Sequence, residues 1–257
     1  MTTGSDLLVA DAVTKNFGGH HAVSQISFSL KSGSIAGLIG PNGAGKTTLF
    51  NCLAGAMKPT SGSILLGGRD ICGLAPCDIF SAGLARTFQI PRPFPEMSVL
   101  DNVMVAAKNQ AGERLWNNWL RPMLVAQQER DAREAARHWL NFVGLSELET
   151  QPARILSGGQ RKLLELARVM VSKPKLVLLD EPGAGVNPVL LNQIVEKVAA
   201  LNAEGTTFLI IEHNMDLVAA LCQPVLVMAQ GQLLVSGDAK TVMNDPRVIE
   251  AYLGNAA

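Results

Sequence analysis

The chain has 257 residues, 47% of them hydrophobic and 17% charged, with 22 basic side chains balanced by 22 acidic ones. That length buries a sizeable core, and the composition excludes a disordered chain. The even charge balance lacks the strongly basic footprint of a nucleic-acid binder, so no nucleic-acid partner is expected.

Residues 1–6 are polar and do not read as a signal peptide. Residues 7–13, 26–30 and 63–66 are short apolar runs parted by Gly, Ser and Asn turns, which predicts a small antiparallel sheet. Residues 34–39 form a compact apolar strand that enters a glycine-rich turn, followed by a helical pattern over 46–53. Another strand ends over 86–89, and Pro91, Pro93 and Pro95 then stiffen a loop, since each fixes φ and lacks a donor. Ser98 stands as an N-cap with Asp101 three residues on. From there to about Arg168 the pattern is helical only. Residues 113–120 carry Leu115, Trp116, Trp119 and Leu120 as an apolar stripe, and a helix over 129–142 stops at Gly144. The stripe is expected to pack within this block, since the flanking charges are mixed and not predominantly basic; its alternative is contact with a membrane surface. Strand and helix then alternate again: 176–179, 188–201, 207–212, 215–221. Residues 225–228 and 232–235, split by Gly231, read as a hairpin. The alternation predicts an α/β fold with a mostly parallel sheet, a small N-terminal antiparallel β-subdomain and an inserted α-helical subdomain. No apolar run approaches the roughly 20 residues that span a bilayer, so any membrane span is expected in another chain. Cys52, Cys72, Cys77 and Cys222 lack zinc spacing and read as reduced thiols.

Gly40-Pro-Asn-Gly-Ala-Gly-Lys46-Thr47 fits the phosphate-loop pattern GxxxxGK[ST] and lies between a strand and a helix, as that pattern requires. Asn42, Gly43, Ala44, Gly45, Lys46, Thr47 and Thr48 are therefore candidate nucleoside-triphosphate contacts, in a cradle that kinases, GTPases and many motors share: glycines let backbone N–H groups converge on phosphate oxygens at a helix N-terminus. Lys46 can reach the β- and γ-phosphates, and the Thr47 hydroxyl can ligate Mg²⁺. The core is thus expected to be that of a P-loop NTPase. The strand 176–179 runs into Asp180 and Glu181. Strand alternation points the two acids apart, which suits Asp180 to the Mg²⁺ shell and Glu181 to the general-base role. His213 follows the strand 207–212 and is placed to touch a γ-phosphate.

Leu156-Ser157-Gly158-Gly159-Gln160 opens a helix with Ser157 as N-cap, a second anion-binding helix start in the same chain. Two such sites in one chain predict a head-to-tail pair that closes over ATP.

With these motifs in this order, the chain resembles the nucleotide-binding domains of ABC transporters over essentially its whole length. The resemblance implies a single ATPase domain over 6–254 with its helical subdomain at about 90–170. It implies that Phe17 stacks on adenine with Val23 beside it. It also implies that Gln89 touches Mg²⁺ and relays nucleotide state, and that Ser157, Gly159 and Gln160 reach the opposite subunit's ATP. Arg86-Thr-Phe-Gln-Ile-Pro-Arg-Pro-Phe, the helical insert, Glu181-Pro-Gly-Ala-Gly-Val-Asn-Pro188, Ile211-Glu-His-Asn-Met215 and Ala251-Tyr-Leu-Gly254 narrow it to the branched-chain amino-acid importers. Asn187 departs from the general family pattern, where aspartate is common. The expected partners are integral-membrane permease subunits, a second ABC ATPase or a second copy of this chain, and, indirectly, a solute-binding protein. The expected place is the cytoplasmic face of the inner membrane. The alternatives are an exporter ATPase of the lipopolysaccharide-transport type, a soluble ABC ATPase acting on DNA or ribosomes, and an unrelated P-loop kinase or GTPase.

Overall fold

A computed structural model describes residues 6–87, 92–108, 110–113 and 115–253. The chain forms two compact units, one built from Met1–Gln89, Pro174–Ala184 and Val198–Ala257, the other from Ile90–Lys173 and Gly185–Lys197.

The first unit holds two sheets. Strands β1 (Asp6–Phe17), β2 (His20–Lys31), β4 (Ser61–Leu66) and β5 (Arg69–Asp70) make an antiparallel sheet in the order β2-β1-β4-β5. β1 and β2 are 12 residues each, longer than the sequence pattern predicts. Bulges explain the difference: Ala12 and Gln25 take φ of 47° and 49°, and the β1–β2 register shifts beside them. Each bulge breaks the period-two alternation by which a strand is recognised.

The second sheet has the order β10-β9-β3-β8-β7-β6, where β3 is Ile35–Ile39, β6 Leu84–Arg86, β7 Leu176–Asp180, β8 Thr207–Ile211, β9 Val225–Ala229 and β10 Gln232–Gly237. All neighbours are parallel except β10 with β9, which form the expected hairpin. β3, β7, β8 and β9 are buried along their whole lengths, which is why they appear in the sequence as continuous apolar runs. Helix α1 (Lys46–Leu53) leaves the C-terminal end of β3 and buries Leu49, Phe50 and Leu53 in the core. Parallel alignment brings the C-terminal ends of β3, β7 and β8 to one edge of the sheet, where ligands of open α/β folds bind. The pairing of β6 with β7 (Leu84 with Leu176) places the two ends of the intervening segment on adjacent strands. Helix α2 (Pro76–Ala82) precedes β6, and α8 (Met215–Leu221), α9 (Ala239–Met243) and α10 (Pro246–Leu253) complete the unit.

The second unit is helical: α3 (Val99–Met104), α4 (Leu115–Leu120), α5 (Pro122–Val143), α6 (Gly158–Met170) and the first part of α7 (Pro188–Ala203). Ser98 caps α3 by accepting from the Asp101 N–H at 3.0 Å. Helix α5 begins at Pro122, a residue preorganised for a first turn, and so starts earlier than the expected 129. The apolar stripe of α4 does not pack inside the block as expected. Leu115, Trp116, Trp119 and Leu120 are 82%, 77%, 86% and 76% exposed. The reason lies on the other face, where Asn117 and Asn118 donate to the carbonyls of Ala111 and Gly112 at 2.9 and 3.0 Å. The polar face is tied to the chain and the apolar one is turned out.

Candidate nucleotide site

The turn after β3 is held from both sides. A Cβ at Gly40 would lie 2.0 Å from the Met228 carbonyl of β9, and one at Gly45 would lie 2.2 Å from the Ala22 carbonyl of β2. Gly45 also takes φ of 96° as the residue that starts α1. The Gly231 N–H donates to the Ala44 carbonyl at 3.1 Å, and Ser24 donates to Gly231 at 2.8 Å, so the β9–β10 turn pins the loop to β2. Only glycine allows a loop packed this closely. Lys46 Nζ donates to the carbonyls of Gly40 and Pro41 at 2.6 and 3.0 Å, folded back over its own loop. Burial lowers its pKa, while the nearby carboxylates of Glu181 and Asp180 act in the opposite direction.

β7 delivers the acids. Asp180 ends the strand and is bridged by Arg86 of the neighbouring β6 (2.9 Å), whose guanidinium also donates to Asn51 of α1. Glu181 is no longer strand: it takes φ of 48°, a left-handed conformation that a non-glycine residue adopts at a cost. The divergence of the two acids therefore comes from this kink and not from strand alternation. The kink sets Glu181 Oε1 2.9 Å from Nε2 of His213.

Two residues at this edge escape a reading of the sequence. Arg86 is one. The other is Glu212, 3% exposed at the end of β8. Its carboxylate accepts from the N–H groups of Gly183 at 2.6 Å, His213 at 2.9 Å and Asn214 at 3.2 Å. A lone acid closing an apolar strand is the one sequence signal that marks it.

An open cleft of about 240 Å³ is lined by Asn42 to Thr48 together with His20, Ala22, Glu181 and His213. Nine of the sequence-predicted positions thus meet around one space. Asp180 stands beside the cleft without lining it. Phe17 closes β1 half-exposed, with Lys15 Nζ 5.3 Å from the ring centre. Val23, expected beside adenine, has no exposed surface and belongs to the core, so His20 and Ala22 form the wall at that point. Gln89 lies outside the described residues. Among the described residues no group of three or more His, Cys, Asp or Glu side chains is arranged to hold a metal ion. Thr47 and Asp180 nevertheless supply hard oxygen donors of the kind Mg²⁺ takes together with substrate phosphates.

In the second unit, Ser157 caps α6 in a full capping box: its hydroxyl accepts from the Gln160 N–H at 3.3 Å, and Gln160 Oε1 accepts from the Ser157 N–H at 2.9 Å. Gly159 packs against Leu190, whose Cδ1 would stand 2.4 Å from an added Cβ. Asn187 caps α7 by accepting from the Leu190 N–H at 2.9 Å.

A glycine loop wedged between a parallel strand and a helix, two acids at the end of the next strand but one, and a histidine one strand over define a P-loop nucleotide-binding ATPase. The family profile described as ABC transporter matches residues 23–184, and the one described as branched-chain amino acid ATP-binding cassette transporter matches residues 232–257. The LivG branched-chain amino acid transport ATP-binding protein of Salmonella typhimurium is 41% identical over 97% of this chain and 98% of its own. Archaeoglobus fulgidus LivG, a probable protein of the same kind, is 38% identical over 96% and 95%. BraF of Pseudomonas aeruginosa is 39% identical over 97% and 98%. Among solved structures, a nucleotide-free ATP-binding cassette from an ABC transporter matches with TM-score 0.84 at 36% identity over 96% of this chain and 98% of that one. An ATP-binding cassette of an ABC transporter in its ADP conformation matches with 0.83 at 36% identity over 97% and 99%. The chain belongs to the ABC transporter ATP-binding proteins, in the branch that carries the branched-chain amino-acid C-terminal segment, and is an ABC-type ATPase.

Proposed function

We propose that this chain is the ATP-hydrolysing motor of an importer for branched-chain or other amino acids, acting on separate permease subunits at the cytoplasmic face of the membrane. The observation that carries the reading is the convergence of Lys46, Glu181 and His213 on the cleft floored by the phosphate loop. The names of the LivG and BraF relatives support the substrate class. Among the described residues no helix is long and apolar enough to cross a membrane, which fits a motor that leaves the crossing to permeases.

In this mechanism the 42–48 backbone N–H groups and the Lys46 ammonium bind the phosphates, and Phe17 stacks on the adenine ring. Glu181 takes the proton of the water that attacks the γ-phosphorus, and the bond to the bridging oxygen breaks in line. His213 holds the Glu181 carboxylate from 2.9 Å and reaches the γ-phosphate. Thr47, Asp180 and Gln89 would hold Mg²⁺, whose charge offsets that of the phosphate oxygens. Asp180 must share its carboxylate with Arg86 in that role. Ser157, Gly159 and Gln160 close the site of a second ATP-binding subunit, a sister ATPase or a second copy of this chain, and so the capping box opens or turns its free faces to the nucleotide. The loop 91–95 is the docking point for the permease. Buried Asn102 accepts from the Phe94 N–H and donates to the Phe94 carbonyl, as well as to the carbonyls of Met97 and Ser98, and Phe94 is left half-exposed.

The test is Glu181→Gln, expected to bind ATP, lose nearly all turnover and accumulate as an ATP-bound dimer. Affinity capture of that variant from solubilised membranes should recover two polytopic proteins and a second ATPase. Undiminished steady-state hydrolysis sinks the general-base role, and recovery of ribosomal or DNA-bound partners sinks the transport reading.

A further inference from the structure

Helix α4 is amphipathic the wrong way round for a water-facing helix. At 100° per residue, Leu115, Trp116, Trp119 and Leu120 share one side, and Asn117 and Asn118 the other. A surface helix normally buries its apolar side and hydrates its polar one. Here the asparagines bond back onto the Ala111–Glu113 turn, and the apolar residues project into solvent. Met123, in the first turn of α5, is 86% exposed and extends the patch. The two indoles alone present roughly 400 Å² of apolar surface, as much as the whole largest patch of a typical soluble monomer.

We infer that this ridge docks directly on the lipid surface, its indole rings seated at the headgroup level of an anionic bilayer. Two observations favour lipid over protein. The composition is two tryptophans flanked by leucines, and tryptophan, an apolar ring with one N–H donor, concentrates at membrane interfaces. Between residues 108 and 124 the sequence carries three basic residues (Lys108, Arg114 and Arg121) against one acid (Glu113), the sign that anionic headgroups attract. The choice of lipid rests on the transporter reading only in that it puts the protein beside a membrane. Docking here is a second hold on that membrane, independent of any permease.

The experiment uses the purified full chain with Trp139, the one remaining tryptophan, replaced (Trp139→Phe), so that emission reports α4 alone. Vesicles of phosphatidylglycerol and phosphatidylethanolamine should shift that emission to the blue, and bromine-labelled acyl chains should quench it. Pure phosphatidylcholine vesicles should do so more weakly. In co-sedimentation, Trp116→Ser with Trp119→Ser should weaken vesicle binding by at least about tenfold, since burying one such side chain is worth about 1.5 kcal/mol or more. Leu115→Ser with Leu120→Ser should weaken it in the same direction. ATP hydrolysis is measured on every preparation and should be unchanged. Failure to bind vesicles with hydrolysis intact overturns the docking, whereas loss of hydrolysis in the parent protein counts against the ATPase reading. Self-association abolished by Trp116→Ser/Trp119→Ser, without vesicle binding, assigns the ridge to a second copy. Binding only to a detergent-solubilised permease assigns it to protein. Either result overturns the lipid assignment.

Discussion

A carboxylate buried at the end of an apolar strand must have its lone pairs filled, and Glu212 fills them with three backbone N–H groups from two different loops. One loop begins at Glu181 and the other at His213, so a single side chain sets the spacing of the proposed base and the histidine that holds it. Glu212→Gln keeps the shape but turns an amide N–H₂ toward backbone donors. The expected outcome is a loss of about 1–3 kcal/mol of stability for the unsatisfied groups. Because Glu181 and His213 are no longer held in register, kcat should also fall by roughly tenfold or more, while KM for ATP changes little, since the phosphate loop is untouched. Steady-state kinetics beside a denaturation curve checks this, and lowered stability with unchanged kcat would leave Glu212 a purely structural residue. Sequence reasoning named the residues 42–48, Glu181 and His213 that the structure brings round one cleft, because the loop carries a glycine pattern and the other two follow strand ends with an identifiable chemical type. It missed Glu212 and Arg86 because their importance comes from what neighbouring strands bring to them. It also explained the divergence of Asp180 and Glu181 by strand alternation, since a left-handed kink leaves no mark on a non-glycine residue.

At the scale of elements, the buried parallel strands were the easiest to read, because both faces are covered and the apolar run is unbroken. β1 and β2 were read short, since bulges interrupt their alternation. For α4 the periodicity identified the stripe correctly but not its direction, because spacing says which residues share a side and nothing about which side meets the protein. The phosphate loop offers a sharper test of element packing. At Gly45 two requirements coincide, a φ of 96° and a carbonyl 2.2 Å from any Cβ, and that carbonyl belongs to backbone that cannot swing aside. Gly45→Ala should therefore destabilise the protein by about 2 kcal/mol or more and abolish nucleotide binding. Thermal denaturation with and without nucleotide measures both. An alanine variant that melts normally and still gains stability from ATP would mean that β2 and the loop separate easily.

For the molecule as a whole, the two units carry separate reporters. All four cysteines fall in the unit with the nucleotide cleft, and all three tryptophans in the helical one. Burial pushes the Cys52 and Cys222 thiols up to about 11 and about 12, whereas Cys77 is exposed. A folded pKa above the unfolded value stabilises the fold below the ordinary thiol range near 9 and is lost as pH rises toward 11 and 12. At pH 8 the native chain should therefore be alkylated at Cys77 while Cys52 and Cys222 stay protected until the first unit opens. Trp139, half-buried and edge-on to Phe142 at 5.6 Å, reports the second unit once Trp116 and Trp119 are replaced by serine. Nucleotide that binds only the folded first unit adds about 2.7 kcal/mol to it at a hundred times Kd. With Mg-ADP present, the urea midpoint for Cys52 and Cys222 alkylation should rise more than the midpoint for Trp139 emission, because the loop proposed to bind the nucleotide belongs to the first unit. Equal shifts would show that the helical unit unfolds only with the other, and that nucleotide binding in one is felt in full by the second.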